Sequence, residues 1–159
     1  MTDLHTYRSR LSWNGSTGVG YDSYDRTHRV ASPPVESELV MSSDPAFRGD
    51  AQHLNPEQLL LAAASSCQLL SFLAIAARSR IDVLAYEDEA EAIMPEGQKP
   101  IRITRILLRP HITVTTGVDL DRVRRLVGMA HDQCFIANTL NAEIVLDPTI
   151  TYAEKTATA

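Results

Sequence analysis

Cysteine is scarce in this sequence, with two among 159 residues. Two cysteines cannot build a secreted disulfide framework; in a reducing compartment such a pair is either inert packing or redox chemistry. Long apolar runs are also missing, because no segment reaches the ~18 consecutive apolar residues of a membrane span. The start, Met1-Thr2-Asp3-Leu4-His5, lacks the basic-then-apolar pattern of a signal peptide. The expectation is a cytoplasmic protein with no membrane partner. Basic residues are outnumbered by acidic ones, 15 against 20, for a formal net charge of −5. Phosphate neutralisation needs clustered Lys and Arg, so no nucleic-acid partner is expected. Arg122, Arg124 and Arg125 do cluster, but among Asp119, Asp121 and Asp132, which reads as a solvated helix face.

Several motifs are absent too. Gly18-Val19-Gly20 begins a dinucleotide-binding pattern, but Ser23 stands where its third glycine belongs. There is no phosphate loop and no Gly-x-Ser-x-Gly elbow. The histidines, His5, His28, His53, His111 and His131, show no paired ligand spacing, and there is no Cys-x-x-Cys, so neither a metal ion nor a cofactor is expected. His131 alone stands out, three residues before Cys134.

What is present suits one α+β domain over residues 1–159, with 44% apolar and 22% charged residues. Amino-terminal strands and a loop occupy 1–50, with Tyr7–Trp13, Gly20–Val30 and Ser37–Ser42 extended and a turn at Asn14-Gly15-Ser16. A central helix follows over 55–79. Its start is the clearest local signal: Asn55 as N-cap, Pro56 at the first helical position, Glu57 in the electropositive first turn and Gln58 at the capping-box position. The run from Leu59 to about Ala77 is apolar nearly all round, which predicts burial on most sides, with a small face at Ala62-Ala63-Ala64-Ser65-Ser66 that admits a second helix. Residues 82–94 and 101–115 read as the two strands of an antiparallel hairpin over 82–115, irregular near Arg109-Pro110. Asp119 caps a second helix over 119–134, with Leu120, Val123, Leu126, Val127 and Ala130 at helical spacing and Cys134 near its end. A terminal strand segment covers 142–152, and the tail after Ala153 is expected to be loose.

Taken singly, Cys67 in an apolar helix reads as a small packed hydrophobe, and Cys134 beside Phe135 and Ile136 likewise. Their company changes that. Phe47-Arg48-Gly49-Asp50 ahead of Asn55-Pro56-Glu57 puts a guanidinium and a carboxylate near one short loop, where they could form a charge-assisted pair.

The segment Asn55-Pro56-Glu57-Gln58-Leu59-Leu60-Leu61-Ala62-Ala63-Ala64-Ser65-Ser66-Cys67, with Cys134-Phe135-Ile136-Ala137-Asn138 further on, resembles the osmotically inducible protein C and organic hydroperoxide resistance (OsmC/Ohr) family. The resemblance covers most of the chain. It implies an intertwined homodimer with antiparallel sheets packed around two long central helices, and a thiol peroxidase that reduces organic hydroperoxides. By that resemblance Cys67 matches the peroxidatic cysteine, Cys134 the resolving cysteine and Glu57 the carboxylate that pairs with an active-site arginine. Arg48 resembles the arginine of one branch and is preferred; Arg26, in Tyr24-Asp25-Arg26-Thr27-His28, matches the region used by the other. The sequence departs from the hydroperoxide-resistance branch after Cys134, where Phe135-Ile136-Ala137 stands in place of a proline and a serine. The reductant implied is a dithiol, such as a lipoyl-bearing protein.

Helix geometry adds an independent reason for a dimer. Ten residues separate Glu57 from Cys67, a rise of about 15 Å at ~1.5 Å per residue, so one straight helix cannot bring that carboxylate to its own thiol. A composite site would draw Glu57 and Arg48 from a second copy of the chain. An apolar wall of Leu60, Leu61, Leu70, Phe72 and Phe135 would then favour alkyl hydroperoxides over hydrogen peroxide. The rival reading is a non-enzymatic dimer that binds an apolar ligand in the same cleft or senses redox state.

Overall fold

A computed structural model gives the structure of residues 4–154. The expected loose tail falls almost wholly at 155–159, outside the described residues. By internal packing the chain forms two units, one up to residue 59 and one from residue 60 onward.

In the first unit β1 (Arg10–Ser12), β2 (His28–Ala31) and β3 (Glu38–Met41) form an antiparallel meander, with Val30 opposite Leu39. The extended run expected from Gly20 shrinks to four residues. Before it the chain turns at Gly20, whose φ of 94° is open to glycine, and the rings of Trp13 and Tyr24 meet edge to face at 6.3 Å. Trp13 Nε1 donates to the Asp25 carbonyl at 2.7 Å, so local aromatic and hydrogen-bond contacts replace strand pairing here. Gly49 is required for close approach, because a Cβ there would lie 1.7 Å from the Ser43 carbonyl oxygen.

Helix α1 spans Pro56–Arg78. Its capping box is formed as the sequence predicts: Gln58 N donates to Asn55 Oδ1 at 2.8 Å, and Asn55 N donates to Gln58 Oε1 at 3.0 Å. The helix ends where Arg80 takes a left-handed φ of 58° and Ile81 N reaches back to the Ala76 carbonyl at 2.9 Å. The polar Ser65, Ser66, Gln68 and Ser71 interrupt every consecutive apolar run, yet by length and overall composition α1 is long and apolar enough to cross a membrane. The same composition serves a helix that packs on sheets, as α1 does through Ala64, Phe72, Ile75 and Ala76.

The second unit holds two three-stranded sheets. β4 (Val83–Asp88), β7 (Pro110–Val114) and β9 (Thr149–Tyr152) form one in the order β4-β7-β9. β5 (Glu91–Ile93), β6 (Arg105–Leu108) and β8 (Glu143–Leu146) form the other in the order β5-β6-β8. The expected hairpin is therefore creased rather than continuous. Asp88 Oδ1 accepts the Arg109 amide at 2.7 Å, Pro110 has no N–H to offer, and the Arg109 guanidinium holds Glu91 Oε2 at 3.1 Å. The pleat keeps its phase through the crease: Ile106, Leu108, Pro110, Ile112 and Val114 are all buried. The hairpin pairings are antiparallel, but β8 and β9 lie parallel to β6 and β7, so both sheets are mixed rather than antiparallel throughout.

Helix α2 (Leu120–Asp132) is capped by Asp119, whose carboxylate accepts the amides of Asp121 and Arg122, and it buries Val123, Leu126, Val127 and Ala130. These four pack with Phe72, Ile112 and Val114. The arginines on the outer face of α2 tie it to neighbouring loops, Arg122 through the Ser79 carbonyl and Arg124 through the Pro148 carbonyl.

Candidate functional site

The second helix stops at Asp132, short of Cys134. That cysteine is instead the N-cap of a separate five-residue helix, α3 (Phe135–Thr139), which sequence reasoning missed. Ala137 N donates to Cys134 Sγ at 3.4 Å, and Cys134 N donates to the His131 carbonyl at 3.1 Å. The His131 ring takes no part in these bonds, and its buried Nδ1 has no hydrogen-bond partner among the described residues.

Cys67 and Cys134 are both free thiols, the first half-buried and the second buried at 1% exposure. The two thiols are neighbours, each affecting the ionisation of the other. Burial by itself would raise the Cys67 thiol. The Cys134 S–H, the amides of Ile136 and Phe135 and the Ser71 hydroxyl outweigh it, so Cys67 ionises below the ordinary thiol range. Cys134 moves up, first through burial and then because its proton is held toward Cys67. The two shifts run in opposite directions, so Cys67 is the easier of the two to ionise. Sequence reasoning assigned this stabilisation to a guanidinium. Within the single chain the lowering comes first from Cys134, then from the α3 amides and Ser71, and Ser71, four residues after Cys67 on the same helix face, was the legible part of that signal.

The unequal ionisation predicts a reactivity order. With iodoacetamide, Cys67 is expected to be alkylated first and to reach its maximal rate at lower pH than Cys134. Peptide mapping after timed quenching across about pH 6–10, a range that brackets the ordinary thiol value near ~8.5, checks this. Equal onset for both cysteines would contradict the assigned polarity.

A cavity of about 320 Å³ opens on Cys67, walled by the apolar Leu70, Ala74, Ile75 and Phe135 and by the polar Ser71, Arg78 and Gln133. Of the expected apolar wall only Leu70 and Phe135 face it, and Phe135 is 81% exposed at its rim. Leu60 and Leu61 pack on Ile106 and Leu108, and Phe72 is fully buried beside Tyr86, so these three belong to the core.

The other candidates lie in the first unit or at its end. Arg48 does not pair with Glu57. It sits in a left-handed conformation, its side chain 61% exposed, with Nε 3.1 Å from Asp22 Oδ1. Glu57 is half-buried and joins no ion pair among the described residues. Arg26 is only 9% exposed; its guanidinium carbon lies 3.9 Å from the Tyr24 ring centre and 4.9 Å from that of Tyr21. Its nitrogens donate to the carbonyls of Tyr24 at 2.8 Å and Tyr21 at 2.7 Å. Among the described residues no carboxylate pairs with it. It lines a cavity of about 400 Å³ together with Leu11, Trp13, Ser42 and Pro56.

A long apolar helix, paired mixed sheets and two adjacent free thiols define an α+β protein of the OsmC type. An OsmC-like protein of unknown function from Vibrio cholerae superposes with a TM-score of 0.83 at 27% identity, covering 92% of this chain and 100% of that one. An organic hydroperoxide resistance protein from Elizabethkingia anophelis shares the fold at a TM-score of 0.67 and 18% identity, over 96% of this chain and 100% of that one. YmaD, an uncharacterised protein of Bacillus subtilis, is 24% identical over 156 residues, 94% of this chain and 97% of its own length. The sequence profile of OsmC-like proteins matches residues 49–149, and the chain belongs to the OsmC/Ohr family.

Proposed function

We propose that this chain is a thiol-dependent peroxidase that reduces organic hydroperoxides, working as a homodimer. The observation that carries this reading is the polarised thiol pair, with Cys67 lowered, Cys134 raised and a largely apolar cavity opening on the first. The Cys67 thiolate attacks the terminal oxygen of ROOH, the O–O bond breaks, and the alkoxide leaves as ROH after taking a proton. Cys67 is then a sulfenic acid. The Cys134 thiol condenses with it, forming the Cys67–Cys134 disulfide and releasing water. An external dithiol, such as a lipoyl-bearing protein, returns both sulfurs to thiols and is itself oxidised to a disulfide. Such a cycle fits a reducing, cytoplasmic setting.

For the cation, Arg26 takes precedence over Arg48. Arg26 is enclosed and lacks a carboxylate partner among the described residues, whereas Arg48 is exposed and engaged with Asp22. Glu57 would orient that guanidinium, both supplied by the second protomer. The dimer reading draws support from one uncovered stripe of α1: Ala62, Ala63, Ser66, Leu70, Leu73, Ala74 and Ala77 are exposed in the single chain. A helix expected to be buried on most sides leaves its small-residue face free for a copy of itself.

The test is intact-mass analysis after one equivalent of cumene hydroperoxide. A loss of two hydrogen masses, faster than with hydrogen peroxide, is expected. A reversed preference would remove the cavity from the account, and unreactive thiols would leave the apolar-ligand-binding reading in its place.

A further inference from the structure

Gln68 is a polar side chain in the core, 1% exposed and directly after Cys67. Its Nε2 donates to the Val127 carbonyl in α2 at 3.1 Å, across 59 residues of sequence. Its Oε1 is buried with no partner among the described residues. An unsatisfied buried amide oxygen costs stability, and an apolar side chain of the same shape would avoid that cost. Retaining glutamine here therefore calls for a reason other than packing. The bond it makes supplies one. It joins the helix that carries Cys67 to the helix whose end leads, through His131 and Gln133, into Cys134. The other buried residues of α1, Ala64, Phe72, Ile75 and Ala76, have apolar side chains, whose packing is non-directional. A hydrogen bond to a main-chain carbonyl is directional.

We propose that Gln68 is a positioning residue for the second redox step, holding α2 in the register that keeps the Cys134 sulfur against Cys67. The proposal rests on the peroxidase reading above. Attack of the Cys67 thiolate on ROOH needs the groups that favour its ionised form but no alignment of the two sulfurs, so it depends far less on this bond than closure does. Condensation of the Cys134 thiol with the Cys67 sulfenic acid, with loss of water, needs both sulfurs in line. A displacement near 1 Å can cost such a step on the order of 10²-fold.

The experiment is rapid mixing of the full-length chain with one equivalent of cumene hydroperoxide, quenched at intervals with and without dimedone and read by intact mass. Wild type should pass to the disulfide with little trapped sulfenic acid. Gln68→Met keeps the shape and removes both the donor and the unpaired oxygen. It should form sulfenic acid within about threefold of the wild-type rate, close the disulfide at least about tenfold more slowly and accumulate the dimedone adduct. Gln68→Leu likewise removes the donor and leaves no polar atom in the site, and should show the same delay. Disulfide closure at the wild-type rate in either variant overturns the proposal. So does an equal loss of both steps, which would mark a purely structural role. If wild type forms neither adduct nor disulfide, the peroxidase reading falls and this one with it; normal wild-type chemistry with unaltered variants sinks the Gln68 role alone.

Discussion

Cys67→Ser is expected to abolish peroxide turnover, while Cys134→Ser should consume about one equivalent of organic hydroperoxide per chain and then stall. The asymmetry follows from the site. A serine hydroxyl at position 67 stays protonated at neutral pH, and no hydrogen bond from Cys134 or from the α3 amides can ionise it, so the first bond to peroxide oxygen never forms. A serine at position 134 can still donate a hydrogen bond toward Cys67, so attack proceeds, but it cannot form an S–S bond and the sulfenic acid has no exit. Consumption of peroxide measured against enzyme concentration, with dithiol present, separates the two. Equal residual turnover in both variants would refute the division of roles.

The second large effect is expected at Arg26. Arg26→Met should lower kcat/KM for cumene hydroperoxide on the order of 10²-fold, the usual cost of deleting a preorganised charge at a reacting oxygen. Arg48→Ala should change it by no more than about twofold, since an exposed ion pair such as Arg48–Asp22 contributes ~0–1 kcal/mol at most. Because Arg26 is stacked on two tyrosines and bonded to two carbonyls, thermal melting of Arg26→Met must accompany the kinetics. A folded Arg26→Met with full activity, or a large loss in Arg48→Ala, would return the role to Arg48.

The long-range plan of the chain was legible where local chemistry and burial agree. Asn55, Pro56 and Gln58 announced α1 because capping is a contest among neighbours within four residues, and Asp119 announced α2 for the same reason. The β-branched and leucine content of residues 101–115 announced a strand. It could not announce that one face serves two sheets, because the crease depends on Asp88 reaching the Arg109 amide across 21 residues. Parallel pairing of β8 and β9 was equally hidden, since strand direction leaves no trace in a period of two. At the site, both cysteines were readable through the resemblance to a family, but α3 is too short to show a helical period. With it went the amides that lower Cys67. The preference for Arg48 came from its nearness in sequence to Glu57, and Asp22, which engages it, lies far enough back to escape notice.

The N-cap of α3 carries one more implication. The sulfur that receives the Ala137 amide is the same sulfur that a bridge to Cys67 requires. In the proposed cycle a bridged sulfur would be a poorer acceptor than the free thiol, and oxidation would loosen the first turn of a helix whose leading residue, Phe135, stands at the mouth of the cavity. The oxidation state of the pair would thereby be written into the backbone order of α3, whose exposed Phe135, Asn138 and Thr139 an incoming reductant would meet.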